Sequence, residues 1–178
     1  MRSSLGHTRL RLEAEISITD ALLRNNGVYA ASFRHGELPA RPSMRLAVLA
    51  CMDARLDPAR ARGLSEGDAH VIRNAGGVVT DDAIRSLSIS QHHLATEEIV
   101  LLHHTQCGMQ TFSDEEFAAA REHSRGLRPD WSAQTFTDLE DDLRESIRRI
   151  RASPFIPHKD RIRGFIYEVE SGRIREVS

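Results

Sequence analysis

Residues 44–51, MRLAVLAC, are an apolar run of strand length that leads straight into MDAR at 52–55. A short run that is apolar at successive positions suits a strand buried on both faces, the environment of a parallel sheet. EEIVLLHH at 97–104 repeats the pattern and runs into TQCG at 105–108. Three more stretches read as strands: AHVIRN at 69–74, IRGFIYEV at 162–169, and RIREV at 173–177, which returns after Ser171-Gly172 as a hairpin.

Helical patterns fill the gaps. Residues 18–33 read as a helix with Thr19 as N-cap. Thr80-Asp81-Asp82 opens a helix running to about Leu94, and Ser113 with Glu116 and Thr137 with Glu140 are capping-box pairs. The last of these helices places Leu139, Leu143, Ile147 and Ile150 on one face. It begins acidic and ends in Arg148, Arg149 and Arg151, in accord with the helix dipole. Residues 34–43, with two prolines and a glycine, and 124–136 read as loops. Strands alternating with helices predict an α/β fold. The sheet is expected to be mainly parallel and four-stranded with an antiparallel edge strand, helices on both faces and an N-terminal helical arm. The expected organisation is a polar extension at 1–17 and a single domain at 18–178. Within it, 18–43 form the arm and loop and 44–178 the α/β core.

Composition narrows the function. A chain of 178 residues suits one domain. Lys and Arg total 24 against 26 Asp and Glu, a formal charge of -2, so the basic excess of a nucleic-acid binder is absent. No run approaches the ~18 consecutive apolar residues of a membrane span. MRSSLGHTRLRLEAEIS, at the start, has no apolar core of signal-peptide type. A cytoplasmic protein without nucleic-acid or membrane partners is expected.

In open parallel sheets, ligands bind outside the carboxyl ends of the strands where the strand order reverses. Two chemically loaded clusters fall at such ends: Cys51, Asp53 and Arg55 after the first strand, and His103, His104, Cys107 and Gly108 after the third. The two cysteines could be apolar fillers, a redox pair or metal ligands. Two thiolates with one imidazole favour zinc. No third cysteine exists to close a structural site, so the fourth position falls to a histidine, a carboxylate or water. Three protein ligands with an open position is the catalytic arrangement. If the chain stays extended through 51–55, Cys51, Asp53 and Arg55 share one side. An Asp held by Arg stays ionised and can accept a hydrogen bond from a metal-bound water; freed, it could ligate the metal.

C-x-D-x-R at 51–55, H-V-I-R-N-A-G-G at 70–77 and H-x-x-C-G at 104–108 together resemble the β-class carbonic anhydrases. ACMDARLD, HHTQCGM and the SGRIREV ending resemble their short, actinobacterial-type branch. The resemblance implies Cys51, His104 and Cys107 as ligands of one zinc ion per chain, with Asp53 and Arg55 as the catalytic dyad and Asp53 as fourth ligand in an inactive state. It implies Gly76, Gly77 and Gly108 in the substrate pocket, with Tyr29, Phe33 and Gln91 as further candidates, and a homodimer or tetramer. The implied reaction is reversible hydration of carbon dioxide to bicarbonate and a proton by zinc-bound hydroxide. The alternative is hydrolysis of carbonyl sulfide or carbon disulfide at the same zinc. A non-catalytic zinc or redox-sensing protein would instead show a closed metal site or a Cys51–Cys107 disulfide. The remaining histidines have blander readings: His103 faces away from His104, His70 is hydrogen-bonded, His92 and His93 are surface residues, and Trp131 is a packing residue. Gln106, between the ligands, is given no role.

Overall fold

The computed structural model describes residues 17–178 and divides the chain into two units after Glu37. The polar extension expected at 1–17 lies, except for Ser17, outside the described residues. The smaller unit contributes helix α1 (Ile18–Ser32), which buries none of its side chains. Ser17, not Thr19, caps it: the Ser17 hydroxyl accepts from the Asp20 N–H at 3.1 Å. A cap must precede the helix with extended backbone, and Thr19 already lies inside the first turn.

The larger unit alternates strands and helices: β1 (Leu46–Cys51), α2 (Pro58–Arg62), β2 (Ala69–Asn74), α3 (Asp81–Leu94), β3 (Glu98–His104), α4 (Asp114–Arg125), α5 (Leu139–Ala152), β4 (Ile162–Tyr167) and β5 (Ile174–Val177). The sheet order is β2-β1-β3-β4-β5, parallel except for the β4–β5 edge pair. The expected mainly parallel sheet with an antiparallel edge is therefore present. After β1 the chain goes to one side for β2 and then crosses to the other for β3. That reversal sets the carboxyl ends of β1 and β3 next to each other, with Ala50 opposite Leu102.

Alternation along the strands divides the core in two. Ala47, Leu49, Ile99, Leu101 and Ile166 face α3 and α5, meeting Ala83, Leu87, Leu143 and Ile150. Gly164 of β4 lets α5 settle close, since a Cβ there would stand 2.9 Å from atoms of Leu143 and Ile147. Val48, Ala50, Val100 and Leu102 face the other way, against Leu56, Leu64 and Phe165 around α2. Each buried leucine or isoleucine contributes about 1.5–3 kcal/mol.

The caps explain where the helices start. Thr80 accepts from Ala83 N–H at 3.1 Å, and Ser113 with Glu116 closes a full capping box. For α5 the cap is Asp138 rather than Thr137, its carboxylate accepting from Glu140 and Asp141 N–H at 2.9 Å each. One carboxylate oxygen takes both donors, which a hydroxyl one residue earlier is not placed to do.

Candidate metal centre

β1 delivers Cys51 to the reversal, and the turn after it is pinned from β2. Met52 N–H donates to Asn74 O at 2.8 Å, and Arg73 donates through Nε to Cys51 O at 3.0 Å and through Nη2 to Asp53 O at 2.7 Å. β3 delivers His104, and a turn through Thr105 and Gln106 brings Cys107 back beside it. Thr105 N–H donates to Tyr167 O at 2.9 Å, and Gln106 adopts a left-handed backbone at φ 54°.

The Cys51 and Cys107 sulfurs and a His104 ring nitrogen lie within 4.8 Å of one another. All three residues are buried, and the sulfurs stand 4.0 Å apart without a disulfide. The His104 ring is oriented by its Nδ1, 2.8 Å from Thr105 O, which takes the Nδ1–H and leaves Nε2 with its lone pair. Nε2 is buried and makes no hydrogen bond. The hydrogen bond from Cys107 pulls the Cys51 thiol well below its ordinary value, and the same pairing pushes Cys107 up. Burial pushes the His104 imidazolium down, but the adjacent Cys51 thiolate and the Thr105 carbonyl outweigh it and raise the pKa.

Asp53 and Arg55 sit at the edge of this cluster. Asp53 Oδ1 accepts from Arg55 N–H at 2.9 Å and Nε at 3.0 Å; Oδ2 accepts from Nη2 at 2.8 Å. Those hydrogen bonds hold the Asp53 carboxyl well below the usual carboxylate range. Of about four lone-pair positions on a carboxylate, Arg55 occupies three. Asp53 Oδ2 lies 3.8 Å from His104 Nε2.

A cavity of about 540 Å³ opens beside Cys51, Asp53 and Cys107. Gly76 and Gly108 line it, with Met109, Phe112, Phe117 and Trp131 forming much of an apolar wall. Gly77 is not part of the lining. It stands behind Cys51 at φ 72°, where a Cβ would come 2.8 Å from Cys51 N. Its service is to let the two backbones meet. Trp131 is 61% exposed and packs tilted against Phe117, with ring centroids 5.7 Å apart, so it belongs to the cavity mouth rather than to the packed core.

Gln91 is buried elsewhere, clasping the backbone of His158 through Nε2 at 3.1 Å and Oε1 at 3.0 Å. Tyr29 and Phe33 belong to the smaller unit, where their rings pack 5.5 Å apart. His103 points away from His104 to Asp142 of α5, Nε2 to Oδ2 at 2.7 Å. His70 meets Ser90 Oγ at 2.8 Å, and His92 and His93 are exposed. Gln106 carries no role in the sequence reading, yet its carbonyl accepts from Arg55 Nη2 at 3.0 Å. The only sequence signal was its place between two ligand positions.

A buried thiol–imidazole–thiol cluster at the reversal of a parallel sheet, flanked by an ion-paired Asp, defines a class. The chain belongs to the carbonic anhydrase family, in its β class: the family's sequence model matches residues 46–174. It is 52% identical over 163 residues to β-carbonic anhydrase 1 of Mycobacterium tuberculosis, covering 92% of this chain and 99% of that one. The crystal structure of a carbonic anhydrase from Streptococcus mutans superposes with a TM-score of 0.88 at 45% identity, covering 93% of this chain and all of that one. A carbon disulfide hydrolase from Acidianus is 36% identical over 157 residues, 74% of this chain and 76% of that one.

Proposed function

We propose that this chain catalyses the reversible hydration of carbon dioxide to bicarbonate and a proton, with one zinc ion held by Cys51, His104 and Cys107. The observation that carries the reading is the buried His104 Nε2, without a hydrogen bond and grouped with two thiols. A buried acceptor without a partner costs about 1–3 kcal/mol, and a cation bound there removes that cost. Two sulfurs and one nitrogen suit zinc better than magnesium or calcium. Zinc, when bound, supplies a Lewis acid that lowers the pKa of a coordinated water to about 7.

The chain's own residues orient the reaction. Asp53 Oδ2 has one lone-pair position free beside the cluster and accepts a hydrogen bond from the attacking water. Arg55 keeps Asp53 ionised, so Asp53 holds that proton's direction without storing the proton, which leaves to buffer. Gly108 and the apolar wall of Met109 and Phe112 admit a small uncharged substrate and leave it poorly hydrated. Asp53 released from Arg55 would be the fourth ligand and would stop turnover.

Carbonyl sulfide and carbon disulfide are the second reading, favoured by the apolar wall and by the similarity to a carbon disulfide hydrolase. The higher identity and fuller coverage of the mycobacterial relative favour carbon dioxide. Parallel assays of zinc-loaded protein on all three substrates decide: carbon dioxide turnover should dominate, and sulfide release without it would reverse the assignment.

Two reduced thiols in the donor set suit the cytoplasm, and no helix among the described residues is long and apolar enough to cross a membrane. Ile18, Leu22, Leu23 and Val28 of α1 form apolar surface that a second copy would cover, giving a homodimer or tetramer.

A further inference from the structure

Arg55 is held from two sides. Asp53 takes three of its hydrogen bonds. Gln106 takes the others, its carbonyl accepting from Nη2 at 3.0 Å and its side-chain Oε1 from Nη1 at 3.3 Å. Gln106 Nε2 in turn donates to Glu170 Oε1 at 2.5 Å, while Glu170 Oε2 accepts from Thr105 Oγ1 at 2.9 Å. The amide orientation follows from the partners: a guanidinium only donates and a carboxylate only accepts, so Oε1 must face Arg55 and Nε2 must face Glu170.

Backbone conformation makes this double grip available. Gln106 is one of four residues other than glycine at positive φ among the described residues. From that position one residue offers both its carbonyl and its amide to the same guanidinium. Glu170 sits in the turn joining β4 to β5, and the turn is tied down where Val169 N–H donates to Thr105 Oγ1 at 3.1 Å. A chain of contacts thus runs from the hairpin turn, through Gln106, to the far side of Arg55.

We infer that Gln106 and Glu170 are positioning residues that hold Arg55 in its pair with Asp53, and so keep the Asp53 carboxylate off the metal-ligand cluster. The inference rests on the reading of Asp53 and Arg55 as the catalytic dyad. Arg55 is 49% exposed at its side chain, so without the second anchor its long side chain gains the freedom to leave for solvent. Asp53 Oδ2 is already 3.8 Å from His104 Nε2 and would lose the cation that competes for it. Glu170 acts at one remove, fixing the amide of Gln106 and adding negative charge that favours the guanidinium where it stands.

Gln106→Leu, Glu170→Ala and Glu170→Gln test this, with Asp53→Asn as control, all matched for zinc content and circular dichroism. Two quantities are measured: kcat and KM for carbon dioxide in the zinc-loaded protein, and the solvent exchange of the Arg55 Nε–H by NMR in the metal-free protein. Gln106→Leu and Glu170→Ala should lower kcat by about three- to tenfold with little change in KM, and should speed Arg55 exchange by a similar factor, as loss of an exposed charge-assisted hydrogen bond implies. Glu170→Gln, which can still accept from Gln106, should recover most of both. Unchanged kcat or unchanged exchange in Gln106→Leu and Glu170→Ala, alongside an inactive Asp53→Asn, overturns the inference and leaves the dyad intact. An Asp53→Asn protein with full turnover overturns the dyad reading and this inference with it.

Discussion

Replacing Gly77 by alanine should damage the protein through one close backbone approach, and Gly63 provides the control. Both glycines are left-handed, Gly63 at φ 68° and Gly77 at φ 72°. That conformation costs an L-residue about 1–2 kcal/mol, offset by the ~0.4–1 kcal/mol gained from a stiffer unfolded chain. At Gly63 nothing lies within 4 Å of the added Cβ, so Gly63→Ala should cost roughly 0.5–1 kcal/mol. At Gly77 the Cβ would stand 2.8 Å from Cys51 N and 3.0 Å from Ala50 C. Backbone cannot rotate aside as a side chain can, so β1 must shift, adding about 1–3 kcal/mol of overpacking. Gly77→Ala should therefore lose about 1.5–4 kcal/mol in urea unfolding at fixed protein concentration. Because the displaced atom is the nitrogen of Cys51, zinc retention should fall with it, whereas Gly63→Ala should keep its metal. Equal stability losses in the two variants, or full zinc in Gly77→Ala, would refute the argument from close approach.

Three further outcomes follow from the same contacts. Asp142→Leu removes the acceptor at Nε2 of the buried His103, whose Nδ1 already has no hydrogen bond, and should cost about 1–3 kcal/mol in thermal or chemical unfolding. The carboxyls of Asp53 and Asp114 are held low, by Arg55 and by Ser132 and the Thr135 N–H respectively, so they contribute stability that is fully present above about pH 4 and lost as pH falls through their folded values. Acid titration of unfolding should show this loss only below about pH 4, whereas activity should rise from about pH 6 to about pH 8.5, the range set by a zinc-coordinated water with a pKa near 7, with Asp53 ionised throughout. Sedimentation at micromolar concentration should find a dimer or tetramer; an active monomer would contradict the proposed partner on α1.

β1 and β3 were legible because burial on both faces leaves an apolar run that no helix of that length would need. β2 matches the sequence reading at both ends, and β1 and β3 fall within two residues of it. The grouping of Cys51, His104 and Cys107 was legible because few residue types can ligate a metal and these fall at two neighbouring strand ends. Helix starts were less so: hydroxyls at Thr19 and Thr137 lost the cap to Ser17 and Asp138, a choice that depends on which residue is extended just before the first turn. The five-residue α2, opened by Pro58 and closed by Gly63, is too short to show periodicity. Gln106 and Glu170 were invisible because their partnership joins two turns 64 residues apart, and no local pattern records it. The resemblance implied Gly76 and Gly77 alike as pocket residues; only the backbone distance from Gly77 to Cys51 separates their roles.

Stopped-flow hydration of carbon dioxide, by protein whose zinc content has been measured, tests the central claim most directly. The wild-type chain with one zinc should hydrate carbon dioxide far faster than buffer, and Cys107→Ser, stripped of zinc, should fall to the buffer rate. A folded, fully zinc-loaded wild-type protein that hydrates no faster than buffer would contradict the account.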